Sequence, residues 1–208
     1  MRKLVITEFI SLDGVMEAPG GENDYVHGAW TMPFWSDAIG EFKDEELQAS
    51  EISLLGRRTY ETFAGAWPGR AGDPFADKLN SMRKVVASTT LTDPEWENTV
   101  VIEGDLVEAV RALKDEDGEG TIIVAGSCSV ARQLLAADLV DEVRLVQYPV
   151  VLETGMRLFD GVGAHRFELD RATPTDSGAV LLAYRRSAEP LGKPTFGSEE
   201  AEDFPYED

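Results

Sequence analysis

Apolar residues come in two rhythms along this chain, and the rhythm changes at glycines. Residues 2–11, "RKLVITEFIS", form a nearly unbroken apolar run that predicts a mostly buried strand, closed by a turn at Asp13-Gly14. Residues 17–34 are rich in Gly, Pro and aromatics and predict a long loop, functional or mobile in most compact domains. In residues 35–49 the positions Trp35, Ile39, Phe42 and Leu47 fall roughly on one helical face, with Ser36 placed to cap the helix and Asp37 in its first turn.

The alternation then repeats. Residues 52–55 predict a short strand, 59–64 a helix, 65–75 a loop, "ADKLNSM" a brief helix and 84–88 a buried strand. "NTVVIE" is strand-like, and "DLVEAVRALKDEDGEG" is an amphipathic helix with Leu106, Val107, Val110 and Leu113 inward and Gly118 near its end. "TIIVAG", residues 121–126, is an apolar run of the kind that fills the centre of a parallel sheet. A helix, "SVARQLLAADL", and a strand, "VDEVRLVQYPVVL", follow it. "RFELDRATPTDSGAVLLAYRR" alternates as a hairpin around Asp176-Ser177-Gly178. Strands alternating with helices, then an antiparallel end, predict a mixed α/β sheet. Residues 187–208, with seven carboxylates against Lys193 and three prolines, read as a solvated or partner-draped acidic tail behind a domain at 1–186.

Composition adds three constraints. A chain of 208 residues, 43% hydrophobic and 28% charged, fits one globular domain with a buried core. Its net charge of -20, from 39 acidic and 19 basic residues, repels phosphate polymers, so no nucleic-acid partner is expected. A small anion can still bind where cations and backbone amides gather locally. The lone Cys128 leaves no intrachain disulfide framework, and His27 and His165 stand far apart with no CxxC, so no metal site is expected. No apolar stretch approaches a membrane span, and "MRKLVITEF" enters a strand pattern at once rather than a secretory signal; a cytoplasmic protein without a membrane partner is the expectation.

In so acidic a chain the adjacent arginines of "LLGRRTYETF" are conspicuous. A strand that ends at Gly56 and turns into a helix exposes unpaired N–H groups at the helix start, and the helix dipole makes them an anion site. Gly56 admits close approach, Arg57 and Arg58 add forked donors suited to phosphate, and Thr59 supplies a hydroxyl. The competing reading is that both arginines neutralise neighbouring carboxylates. A second strand ends in Ser88-Thr89-Thr90, hydroxyls able to bind a phosphate and equally ordinary turn formers. A third strand ends at Gly126-Ser127 and passes straight into a helix. No GxGxxG occurs, and Cys128 at this junction reads as a small packing residue. Three junctions of one kind predict a single extended phosphate-bearing cofactor along the sheet edge.

These residues carry a resemblance. "EFISLDGVMEAPGG", "LLGRRTYETFAGAWP" and, most specifically, "VAGSCSVARQLLAADLVDEVRLVQYPVVLETGMRLFDG" are similar to segments of RibD C-terminal reductase-like domains, within the dihydrofolate reductase fold, over about residues 2–186. The resemblance implies a three-layer α/β domain: a central, mostly parallel sheet with a C-terminal antiparallel hairpin and helices on both faces. It also implies an NADPH-dependent reductase transferring hydride to a small heterocycle, either pterin- or dihydrofolate-like or a ribosylamino-pyrimidine of riboflavin biosynthesis. By similarity Gly56, Arg57, Arg58 and Thr59 hold phosphates, and Arg57 with Ser88 and Thr89 meets the adenosine 2'-phosphate. Gly126, Ser127, Ser129 and Val130 line the pyrophosphate and nicotinamide side, and Asp13-Gly14 sits in the loop over the nicotinamide. The chain departs from the family pattern at Ser127 for a second glycine, Ala131 for an aromatic and Val15 for a lysine.

Hydride transfer needs a positioned nicotinamide, a dry site and a proton source. Trp30, Phe34 and Trp35 supply candidate walls, and Asp13 and Asp37 candidate proton donors, each with a routine alternative as turn former or helix N-terminal charge. A non-catalytic nucleotide- or ligand-binding protein on the same fold is the alternative, and an interaction module working through the tail a third. In similar proteins "VRLVQYPVV" contributes to a homodimer interface.

Overall fold

The computed structural model describes residues 1–70 and 72–192. Eight strands form its sheet: β1 (Leu4–Ile10), β2 (Ser50–Gly56), β3 (Arg83–Ala87), β4 (Thr99–Val101), β5 (Thr121–Ala125), β6 (Glu142–Gln147), β7 (Phe167–Pro174) and β8 (Val180–Arg186). The helices are α1 (Asp37–Gln48), α2 (Arg57–Ala66), α3 (Pro74–Ser81), α4 (Leu106–Asp115) and α5 (Cys128–Ala136). Strand order is β4-β3-β2-β5-β1-β6-β8-β7, with every pair parallel up to β6, and β8 antiparallel to both neighbours. The expected mixed sheet and closing hairpin are both present.

The pleat sorts the core into two layers. Leu4 and Ile6 of β1, Ile52 and Leu54 of β2, and Ile122 and Val124 of β5 pack onto α4 and α5 through Val110, Leu113, Leu134 and Leu135. Leu55, Val86 and Ile123 point the other way, onto Leu47 of α1, Tyr60 of α2 and Leu79 of α3. Further along that face Val146 meets Ile39 and Phe42 of α1. Helices therefore cover both faces, and β5 is apolar from Ile122 to Val124 because both of its faces are buried there. Each such side chain contributes about 1.5–3 kcal/mol on leaving water.

This arrangement also opens a crevice. The helices that follow β1 and β2 lie on one face of the sheet and the helix that follows β5 lies on the other. Adjacent parallel strands whose crossovers depart to opposite faces leave a gap beyond their carboxyl ends. Pairing of β1 with β5 stops at Thr7 and Ala125, whereas β1 stays on β6 as far as Ile10 and Gln147. Residues 8–10 thus part from β5 on that side.

One local expectation needs correction. Ser36 occupies the cap position of α1 but makes no capping hydrogen bond, and its hydroxyl is buried without a partner; the aspartates Asp73 and Asp105 are the residues that cap helices, α3 and α4. Within "VRLVQYPVV", β6 lies between β1 and β8 and buries Val143, Leu145 and Val146, with Tyr148 just beyond it, while Val151 is exposed. Of the proposed tail, residues 187–192 are described and begin tied back, with the Ser187 amide bonded to Arg166 O and Glu189 paired with Arg166; residues 193–208 lie outside the described residues. Among the described residues no helix is long and apolar enough to cross a membrane.

Candidate functional site

Two of the three strand-end junctions touch, and the third is their neighbour. The Gly56 amide donates to Ser127 Oγ at 2.7 Å, and that hydroxyl donates to Thr59 Oγ1 at 2.9 Å. Ser127 adopts left-handed backbone, φ 62° and ψ 53°, and Gly126 before it has φ +67°. A Cβ at Gly126 would stand 3.1 Å from Thr59 Cγ2, so conformation and space both demand glycine there. Next door, Gly56 is in register with Ala87, the last residue before Ser88 and Thr89. One rim therefore carries Gly56, Arg57, Arg58, Thr59, Ser88, Thr89, Gly126, Ser127 and the exposed Ser129. Val130 does not present itself to the rim: it is 3% exposed, packs beneath Gly56, and its amide bonds to Ser127 O.

Unlike α3 and α4, neither α2 nor α5 has a side-chain cap, which leaves first-turn N–H groups at the rim without one. The arginine pair divides. Arg57 bonds Glu61 one turn along α2 at 2.8 Å, whereas Arg58 is exposed and pairs with no carboxylate among the described residues. Ser88 Oγ accepts from the amides of Thr90 and Leu91 at 3.1 and 2.9 Å, a turn-forming role that still leaves its own proton to donate. Uncapped amides, a free guanidinium and hydroxyls fit a phosphate group at the β2–β3 end of the rim. At the β5 end the amide expected to meet pyrophosphate is taken, because Gly126 N–H donates to Glu8 Oε2 at 3.2 Å.

Glu8 is the residue that sequence reasoning missed. It lies inside the apolar run of β1, is 5% exposed, and its Oε1 is buried without a partner. Burial drives its carboxyl up to about 8, against the opposing pull of Lys43 and the Gly126 amide and with a further push from Glu46. The signal was a single acid interrupting "LVITEFI".

Asp13, the other expected proton donor, is the opposite case. Ser11 Oγ donates to its Oδ1 at 2.7 Å, the Leu152 and Glu153 amides donate at 3.1 and 2.9 Å, and Arg157 lies 3.3 Å away. Partial burial pushes its carboxyl up, but these hydrogen bonds outweigh that and hold it at about 2. It is an ionised latch joining the turn after β1, where Gly14 has φ +83°, to the segment after β6. Asp37 is exposed in the first turn of α1, and no hydrogen bond joins its side chain to another described residue.

The aromatic wall is rearranged. Trp30 is 7% exposed, donates Nε1–H to Glu17 O at 2.8 Å and meets Tyr148 edge-on at 5.4 Å, so it is core rather than an open surface. Phe34 and Phe9 also meet Tyr148 edge-on, at 5.9 and 5.7 Å. Trp35, 53% exposed and edge-on to Phe9, faces outward. The Tyr148 hydroxyl is buried without a partner, and burial pushes it well above its usual range. Two hollows of about 350 and 300 Å³ lie elsewhere, one beside Lys3 and Arg185 and one beside Leu135 and Phe159. Among the described residues no group of three or more His, Cys, Asp or Glu is placed to hold a metal ion.

Comparison with known proteins agrees with this architecture. The uncharacterized protein YyaP of Bacillus subtilis (strain 168) is 28% identical over 189 residues, covering 88% of this chain and 94% of that protein. Among solved structures, a candidate riboflavin biosynthesis protein of Shewanella sp. PV-4 superposes with TM-score 0.65 at 18% identity, over 89% of this chain and 99% of that one. Enterococcus faecalis dihydrofolate reductase, complexed with NADP(H), does so with TM-score 0.58 at 19% identity, over 88% and 96%. At these identities the structural likeness speaks for the fold. Residues 2–181 match the family model described as the RibD C-terminal domain, and the chain belongs to that family.

Proposed function

We propose that the protein is an NADPH-dependent reductase of a small heterocycle, pterin- or dihydrofolate-like or a ribosylamino-pyrimidine. The observation that carries this reading is the hydrogen-bonded chain Gly56–Ser127–Thr59, which sets two uncapped helix starts side by side next to the β3 end. Arg57, Arg58, Thr59, Ser88 and Thr89 would hold phosphates, while Gly14, Gly126, Ser127 and Ser129 would bound the nicotinamide side. When bound, the dihydronicotinamide supplies the hydride. Phe34 and Trp35 would pack against the heterocycle and keep water from it, and Asp37 remains a candidate proton donor. The same reading has the protein acting as a cytoplasmic homodimer without nucleic-acid or membrane partners.

Titration with NADPH and NADH, followed through tryptophan fluorescence, tests it. The expected result is tighter binding of NADPH by about tenfold, the worth of one good phosphate contact; equally weak binding of both would contradict it. A second reading, a ligand-binding protein that keeps the fold without turnover, is favoured by the locked Asp13 carboxylate and by the occupied Gly126 amide. Firm NADPH binding with no consumption across pterins and pyrimidine intermediates would select that reading.

A further inference from the structure

Resting on the NADPH reading, we infer that Glu8 sits in the site as a neutral, proton-bearing carboxyl and that the cofactor binds the protonated form of the protein. The inference begins with geometry. Glu8 is the first residue of β1 beyond its pairing with β5, so its side chain stands where the two strands part. Its Oε2 receives the Gly126 amide, a rim donor, and its Oε1 is buried and unpartnered. A charged carboxylate there would place a full negative charge, screened by little water, beside the amides that a pyrophosphate needs. A neutral carboxyl binds the same amide weakly and lets an anion approach.

The groups around Glu8 set its balance. Lys43 and Glu46 act from α1 across the sheet, where they pair with each other at 2.7 Å and with Thr7. From α5 the Cys128 thiol, raised chiefly by its burial, is pushed further by Glu8, Asp160 and Glu17 against the pull of Arg132. Lys43 is already matched by Glu46, and burial of Glu8 outweighs its help. The phosphates of NADPH finish titrating near pH 6, so a linkage at higher pH belongs to the protein.

The experiment measures the NADPH dissociation constant from about pH 7 to about pH 9 in wild type, Glu8→Gln and Glu8→Asp, a range above the last phosphate titration. Wild-type affinity is expected to fall above pH 8 and approach about tenfold per pH unit, the limit for one required proton. Glu8→Gln is expected to show a flat profile and to bind about tenfold tighter than wild type at about pH 9. Glu8→Asp, still ionisable, should keep a slope. A slope shared by wild type and Glu8→Gln would overturn the inference. Carbon-13 NMR of glutamate-labelled wild-type protein gives an answer that needs neither cofactor nor variant: a carboxyl resonance absent from Glu8→Gln should titrate near pH 8, and titration in the ordinary glutamate range would overturn the inference. Absence of NADPH binding at every pH, with Glu8 still titrating near pH 8, would overturn the cofactor reading and its linkage while the neutral carboxyl stood.

Discussion

Glu8 and Asp13 stand on either side of one strand end, and their surroundings drive them in opposite directions. Glu8 belongs to the strand interior, where one amide reaches it and burial favours the neutral form, at about 8. Asp13 belongs to the turn beyond, where a hydroxyl and two amides converge on it and favour the anion, at about 2. The difference teaches that burial and hydrogen-bond donors together decide which carboxyl can hold a proton near neutral pH: burial wins at Glu8, and converging donors win at Asp13. It also separates duties: the turn fixes the loop after β1 onto the segment after β6, while the strand parting keeps a titratable group beside the crevice.

The comparison can be broken most forcefully at Glu8. Its folded value lies above its unfolded one, so its contribution to stability is complete below about pH 4.5 and is lost as the pH rises through about 8. Glu8→Gln should therefore gain on wild type between about pH 5 and about pH 9 by roughly 4 kcal/mol, measured by urea unfolding at both values. An equal difference at the two values would place Glu8 among ordinary carboxylates. Asp13 carries the reverse sign: its stabilisation is present above about 3.8 and disappears as pH falls through about 2. Asp13→Ala should cost about 2 kcal/mol near neutral pH, the worth of hydrogen bonds to a charged group, and the gap should close in strong acid.

The cationic half of the rim supplies two smaller tests. Arg58, without a carboxylate partner among the described residues, should be worth about tenfold in NADPH affinity when changed to alanine, or roughly 1.4 kcal/mol. Arg57, already paired with Glu61, should be worth only about threefold, because an exposed pair of this kind contributes little. Equal losses for both would mean that Glu61 releases Arg57 to the ligand; isothermal titration of the two variants distinguishes the cases.

Much of this was legible in the sequence. The apolar runs placed β1, β2, β3, β5 and β6, and the strand–glycine–helix junctions pointed to one edge because parallel strands share their carboxyl ends. What was hidden depends on contacts between residues far apart in the chain. The latch on Asp13 comes from Leu152, Glu153 and Arg157, and the amide on Glu8 comes from Gly126. Buried charge inside apolar runs was the signal passed over, and it occurs twice. Lys84, in "KVVAST", is also fully buried, with Nζ 2.5 Å from Asn80 O at the end of α3 and 4.5 Å above the Trp96 ring. Hydropathy along such runs identifies strands; the lone charged residue within each marks where packing serves something besides burial. Trp30 shows the converse, an aromatic in a glycine-rich loop that the fold turns inward against Tyr148.

A crystal structure of the protein with NADPH gives the most direct answer. Phosphates are expected on the uncapped start of α2 within hydrogen-bond reach of Arg58 and Thr59, with the nicotinamide toward Gly126 and the parting of β1 from β5. A nucleotide bound away from this rim, or none bound at saturating concentration, would contradict the NADPH reading.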